Sequence, residues 1–268
     1  MDSTPSLLAR TRLAALLLAA ASLTGACSAE GPATLRIAAD GEQFVEDRIP
    51  AEVFVDGWEL ELDRFLVAFG EVEADGEALE GAFVVDLAQD SRGAGHELGT
   101  LTLPAEGRPR LGYRIAPLAP ETQSDDEDVM RLAEASASMW IEGRATRDGT
   151  VVRFAWPFET DVRYVECESK AELVGGETAQ SRLTMQIERL FFDDLDADGA
   201  RVAFDVVASA DRNGDGEVVV EELWERFITG EERYQVGERD IVDLWGFLEA
   251  QAETLGHVDG DGPCERAP

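Results

Sequence analysis

The chain of 268 residues sets 56 acidic against 23 basic side chains, a formal net charge of −33, and is 44% hydrophobic. That apolar share is enough for a packed core. The charge opposes nucleic acid and an anionic bilayer surface, both of the same sign, so no nucleic-acid partner is expected.

At the N-terminus Arg10 and Arg12 precede an apolar run from Leu13 to Leu23. It is too short to span a bilayer comfortably but suits the hydrophobic region of a secretory signal. Residues 1–26 are read as a signal peptide and the protein as exported. The run ends in Leu23-Thr24-Gly25-Ala26-Cys27, which resembles the lipobox of bacterial lipoproteins. The resemblance implies lipidation of Cys27, so that the membrane is met only through an N-terminal lipid anchor. Thr24 stands where the pattern has Leu, which leaves an ordinary small-residue cleavage site as the alternative. Ser28 in place of Asp implies, on the same resemblance, an outer-membrane or periplasmic lipoprotein of a Gram-negative bacterium.

With Cys27 set aside, Cys167 and Cys264 remain in a compartment that permits disulfides, and a bond between them is expected. It would tie the C-terminal tail, residues 257–268, to the middle of the chain. Two unrelated buried thiols are the alternative.

Residues 33–192 read as strands. Trp58, Leu60 and Leu62 alternate with acids, and Phe65, Val67 and Phe69 continue on the opposite parity. A bulge near Asp63-Arg64 explains the exchange, since one extra residue swaps the faces of a strand. Further strands are expected at 35–39, 51–55, 83–87, 98–103 and 111–116, then at 161–167 and 182–192. Segments 138–146 and 150–157 flank Arg147-Asp148-Gly149, a hairpin signal. The acidic stretch Glu121–Asp128 leads into a short helix at 129–135. The spacing predicts an antiparallel β-sandwich, making the chain mainly β. Trp140 and Trp156 on the hairpin arms suggest either core residues or a sugar-stacking platform.

After Phe192 the apolar period changes to about 3.6. Residues 193–256 are read as an α-helical EF-hand segment, with the longest helix from Gly237 to Leu255, opened by Glu238 and Asp240 and stopped by Gly256.

Within this segment lies DRNGDGEVVVEE, from Asp211 to Glu222. Calcium takes six to eight oxygens, and a twelve-residue loop supplies them from positions 1, 3, 5, 7, 9 and 12. Those positions hold Asp211, Asn213, Asp215, the Glu217 carbonyl, Val219 and Glu222, with Gly216 at the sharp turn. Only the ninth, Val219, cannot coordinate. Ala203, Val206, Val207 and Ala210 supply the apolar positions of an incoming helix, and Leu223 and Phe227 those of an outgoing one. Val218 at position 8 is the residue that pairs with a sister loop. No sister is evident, so affinity of about 10⁻⁴ to 10⁻³ M and a structural Ca2+ are expected. Asp194, Asp196, Asp198 and Gly199 repeat the opening, with Asp205 at position 12. Arg201 at the apolar position and the short gap to Asp211 make this stretch an acidic turn instead.

Catalytic signatures are absent. His96 and His257 are the only histidines, and the chain carries no zinc-protease, serine-hydrolase or phosphate-loop motif. The segments DGWELELDRFLVAFGEV, RDGTVVRFAWPFETDVRYVEC and LFFDDL…DRNGDGEVVVEEL, with LTGAC, resemble exported EF-hand-containing lipoproteins of myxobacterial type. The resemblance implies a β-sandwich followed by an EF-hand segment and no assigned activity. The first functional reading is a calcium-binding, non-enzymatic cell-envelope lipoprotein that presents its sandwich to a protein or glycan partner. The second is a calcium-dependent hydrolase or carbohydrate-binding protein acting on polysaccharide through paired carboxylates.

Overall fold

The computed structural model describes residues 31–197 and 199–267. The signal segment, Cys27 and Asp198 lie outside them.

The described residues are mainly β, in two sheets arranged as a sandwich. In chain order come β1 (Ala33–Asp40), α1 (Glu42–Glu46), β2 (Glu59–Ala74), β3 (Glu77–Ala78), β4 (Ala82–Asp86), β5 (His96–Leu103) and β6 (Arg110–Ile115). Next are α2 (Glu127–Ala135), β7 (Met139–Arg147), β8 (Thr150–Phe158), β9 (Val162–Glu168) and β10 (Thr178–Met185). The C-terminal part holds a 3₁₀ turn at Ile187–Phe191, α3 (Asp205–Ala208), β11 (Glu217–Val218), α4 (Val220–Glu225), α5 (Leu244–Ala252), β12 (Gly256–Val258) and β13 (Glu265–Ala267). One sheet runs β12-β10-β1-β5; the other runs β11-β8-β7-β2-β6-β9-β13, with β3 and β4 also paired to β2.

The sixteen-residue β2 organises the larger sheet. Its register against β7 shifts between Leu62 and Arg64. Leu60 and Leu62 before this bulge, and Phe65, Val67 and Phe69 after it, therefore all face the core, as the parity change predicts. Leu66 and Ala68 face the other way and are covered by Leu132 and Ala137 from α2 and the turn after it. Asp126 caps α2, accepting from the N–H groups of Asp128 and Val129. The β7–β8 hairpin turns at Asp148 and Gly149, both with positive φ, as an Asp-Gly loop requires.

Several expectations are corrected. The sandwich is not wholly antiparallel: β1 lies parallel to β10, and β11 parallel to β8. Residues 51–55 form turns and not a strand, following Pro50, which has no N–H to enter a ladder; only Phe54 bridges to Val202. The strand expected at 182–192 begins earlier, at Thr178, and ends at Met185 before the 3₁₀ turn. Among the described residues there is no EF-hand helical segment of the expected extent. The incoming helix has four residues and the outgoing one six. The helix expected over 237–255 is confined to 244–252. Its start is set by Asp243, whose carboxylate accepts from the Gly246 N–H. The preceding residues are drawn into pairing instead, since Ile228 N–H donates to Val242 and Leu244 N–H to Arg226.

The C-terminal part shares the core of the sheets. Phe204 meets Trp58 and Phe154, and Trp245 stacks on Phe158 at 4.9 Å. Cys167 and Cys264 are bonded, as expected, and this closes a ring across a sequence separation of 97. Beside it β13 adds to the edge of β9.

Candidate functional site

The loop from Asp211 to Glu222 leaves the single turn of α3 and enters α4. Its shape comes from side-chain oxygens caught by its own backbone. Asp211 accepts from the N–H groups of Gly214 at 2.7 Å and Gly216 at 3.0 Å. Asn213 Oδ1 accepts from Asp215 N–H at 2.8 Å, and Asp215 Oδ1 from Glu217 N–H at 2.9 Å. Gly214 and Gly216 both have positive φ, which lets the chain fold back over the acids.

Glu222 at the twelfth position accepts weakly from Arg212 N–H at 3.2 Å and Val219 N–H at 3.3 Å. The second bond is half a capping box: Val219, at the N-cap of α4, has no oxygen to reciprocate. Arg212 crosses to Glu225 at 2.7 Å, and Arg226 crosses to Ser209 at 3.0 Å, so both ends of the loop are laced together.

The place of a sister loop is taken by the sheet. Glu217 and Val218 form β11, in register with Arg153 and Phe154 of β8. Arg153 N–H donates to the Gly216 carbonyl at 2.9 Å, and the buried indole of Trp156 donates to the Val218 carbonyl at 2.8 Å. Val218 is fully buried. Ala203, Val207 and Ala210 are buried as an incoming helix would bury them, although only four residues there are helical. On the outer side Val219, Trp224 and Phe227 are exposed, the last at 61%.

The donor atoms of the loop are of the type a hard cation takes, although they are not gathered around one point. The donor set is all oxygen, and each carboxylate or amide oxygen that accepts a backbone N–H keeps a free lone pair. Among the described residues no three His, Cys, Asp or Glu side chains converge closely enough to hold a metal. The loop contributes only three carboxylates to coordination, and in this structure each is turned onto backbone N–H groups.

The second acidic turn is assembled differently. Asp194 accepts from Asp196 and Ala197 N–H, while Asp196 pairs with Arg239 at 2.9 Å. Asp205 accepts from the Trp58 indole at 3.0 Å and from Arg147, whose guanidinium lies over the Trp58 ring. Behind it Asp56, its side chain 4% exposed, accepts from Phe204 and Asp205 N–H at 2.8 Å each. Asp56 thus caps the turn into α3. Sequence reading missed this hub, since its members come from segments about 150 residues apart. Asp259-Gly260-Asp261-Gly262 is a turn: Asp259 accepts from Ser169 Oγ and from Lys170 and Arg182 N–H.

A groove of about 1040 Å³ opens at the end of the smaller sheet, lined by Asp40, Glu42, Glu46, Asp90, Lys170 and Arg182 among others. Asp40 is buried and held by Arg182 at 2.8 Å. Burial, then Glu188 and Asp40 nearby, raise the Glu42 pKa. No sequence motif marks the groove. The sugar platform is excluded, because Trp156 opposes Ile141, not Trp140, and points into the core, whereas Trp140 lies on the other face under Arg131. No helix among the described residues is long and apolar enough to cross a membrane.

No family model, no curated protein and no solved structure matches the chain.

Proposed function

We propose that this is an exported calcium-binding protein of the cell envelope, in which Asp211, Asn213, Asp215, the Glu217 carbonyl and Glu222 hold one structural Ca2+. The observation that carries the reading is the docking of Val218 onto β8, with the Gly216 and Val218 carbonyls taken by Arg153 and Trp156. An isolated EF-hand loop must order itself on binding, and the ordering cost weakens it. Here the sheet edge carries part of that cost before the ion arrives.

The short arms argue for a clamp and against a sensor. A sensor needs two helices that reorient and uncover an apolar groove. Helices of four and six residues, laced by Arg212–Glu225 and Arg226–Ser209, have no such travel. The sandwich then serves as the surface for a protein or glycan partner, with Cys27 as the lipid anchor.

Calcium titration by calorimetry tests the reading. One site per chain is expected, with binding lost in Glu222→Gln. An unchanged isotherm in that variant would overturn the ligand assignment.

A calcium-dependent hydrolase is kept as the second reading because of the groove, where the raised carboxyl of Glu42 lies near Asp40, the kind of pair that general acid and base chemistry needs. Turnover on a glycan panel, lost in Glu42→Gln, would favour it.

A further inference from the structure

Asn213 is the only asparagine in the 268 residues, and it is followed by Gly214. Asparagine is thermolabile, and its usual route of loss begins when the next backbone nitrogen attacks the side-chain carbonyl carbon. A following glycine offers that nitrogen least hindrance. Gly214 has nothing within 4 Å of where a Cβ would stand. Both residues are exposed to water. The one residue of this type in the chain is therefore placed at the third position of the calcium loop, in the sequence context where it converts most readily.

The closed loop opposes the reaction at both of its partners. The Gly214 N–H donates to Asp211 Oδ1 at 2.7 Å, and a carboxylate there keeps the proton on the nitrogen that must lose it. Asn213 Oδ1 is held forward by Asp215 N–H at 2.8 Å, which fixes the side chain against rotation toward Gly214. Both restraints belong to the loop and vanish if it opens. Calcium on Asp211 and Asn213 would hold the loop closed.

We propose that Asn213 is a self-converting ligand: the calcium-free loop deamidates at Asn213-Gly214, and bound calcium protects it. The inference rests on the calcium reading above. When the loop opens, the Gly214 nitrogen gives its proton to solvent base and attacks Asn213 Cγ. The bond from Cγ to the side-chain nitrogen breaks, and that nitrogen leaves as ammonia with a proton taken from water. The five-membered imide is then opened by one water. Attack at one carbonyl gives aspartate at 213, so that positions 1, 3 and 5 are all carboxylates and calcium is attracted more strongly. Attack at the other gives an isoaspartyl link, which inserts a methylene into the backbone before Gly214 and breaks the register of the loop.

The test incubates the whole chain in warm, mildly alkaline buffer with chelator or with calcium. Trypsin then releases residues 213–226, since Arg212 and Arg226 bound them, and mass spectrometry reads conversion at Asn213. At a calcium concentration ten times Kd the calcium-free fraction, and with it the rate, falls about tenfold. Glu222→Gln should convert in calcium as fast as the unaltered chain does in chelator, and Asn213→Gln should leave the peptide unconverted. Equal rates with and without calcium, in protein that calorimetry shows to bind the ion, overturn this inference alone. Equal rates without calorimetric binding overturn the calcium reading and the inference with it. No conversion in chelator, over a time in which the urea-unfolded chain converts, shows that the loop shields Asn213 unaided and also overturns it.

Discussion

The stretches 194–205 and 211–222 open with nearly the same spacing of acids and glycine, yet their last carboxylates have different surroundings. Asp205 is engaged by an indole N–H and a guanidinium, and the backbone just before it is capped by the buried Asp56. Glu222 touches only two backbone N–H groups, both at long distance. The third positions differ likewise, Asp196 being paired to Arg239 while Asn213 accepts from the Asp215 N–H. Acid spacing sets where oxygens can go, but competing cations decide whether those oxygens are available. In the first stretch arginines have taken the oxygens of Asp196 and Asp205, and Asp205 ties Trp58 and β7 to α3. In the second stretch Arg212 is turned outward to Glu225, and the ligand oxygens are left to the backbone.

Opening the ring from Cys167 to Cys264 should loosen both stretches at once, because both lie inside it. The chain-entropy model gives about 4 to 5 kcal/mol for a loop of this length. Thermal unfolding of Cys264→Ser is therefore expected to show the largest loss of any single change here, with the calcium-induced rise in Tm reduced as well. A loss confined to the tail, with both loops intact by hydrogen exchange, would show that the bond only anchors β13.

The two stretches separate under Asp205→Ala. Trp58 Nε1 and Arg147 lose a shared acceptor, at a cost of about 2 kcal/mol, since charge-assisted bonds are worth more than neutral ones. Calcium should still raise Tm by the same increment. Glu222→Gln is the converse. In chelator its stability should lie within about 0.5 kcal/mol of the unaltered chain, because its oxygens make only weak bonds there. In calcium at ten times Kd it should lack the gain of about 1.4 kcal/mol that binding contributes. Denaturant unfolding of both variants, with and without calcium, makes a complete cross. If Asp205→Ala lost the calcium response and Glu222→Gln kept it, the roles assigned to the two stretches would be exchanged.

Much of the larger sheet was legible because its signals are local. The parity change at Asp63-Arg64 located the bulge, and Asp148-Gly149 located the hairpin, since strand period and turn φ depend on neighbouring residues alone. The sharp turn at Gly216 in the acidic loop was legible for the same reason. What escaped was set by distant partners. The helical period after Phe192 reflects burial of Val207, Ala210, Leu244 and Leu248 against the sheets, and the same spacing is met by short helices of four to nine residues joined by extended pieces. Asp243 starts the last helix late through one bond from the Gly246 N–H, where Glu238 and Asp240 had marked an earlier first turn in the sequence. The parallel pairing of β11 with β8 joins residues more than sixty apart and has no local signature. The groove, built from strand ends and the C-terminal turn, has none either.

The smallest effect distinguishes the two stretches by pH. His257 shares a cavity of about 300 Å³ with Asp194 and Asp196, and its Nε2 is buried with no partner among the described residues. Burial, helped by Arg189, lowers its pKa from 6.5 to about 4. The unfolded chain therefore binds a proton before the folded one does. The contribution of neutral His257 is complete above pH 6.5 and is lost as pH falls through the window down to about 4. Discounted for partial exposure, the loss is on the order of 1 kcal/mol. His257→Gln, measured in chelator, should flatten the fall of Tm between these limits, and hydrogen exchange should show the acid-induced loosening in residues 194–197 while 211–222 stays as it was. An equal slope in the variant would place the acid sensitivity elsewhere, with the carboxylates that accept backbone N–H groups in both stretches as the next groups to replace.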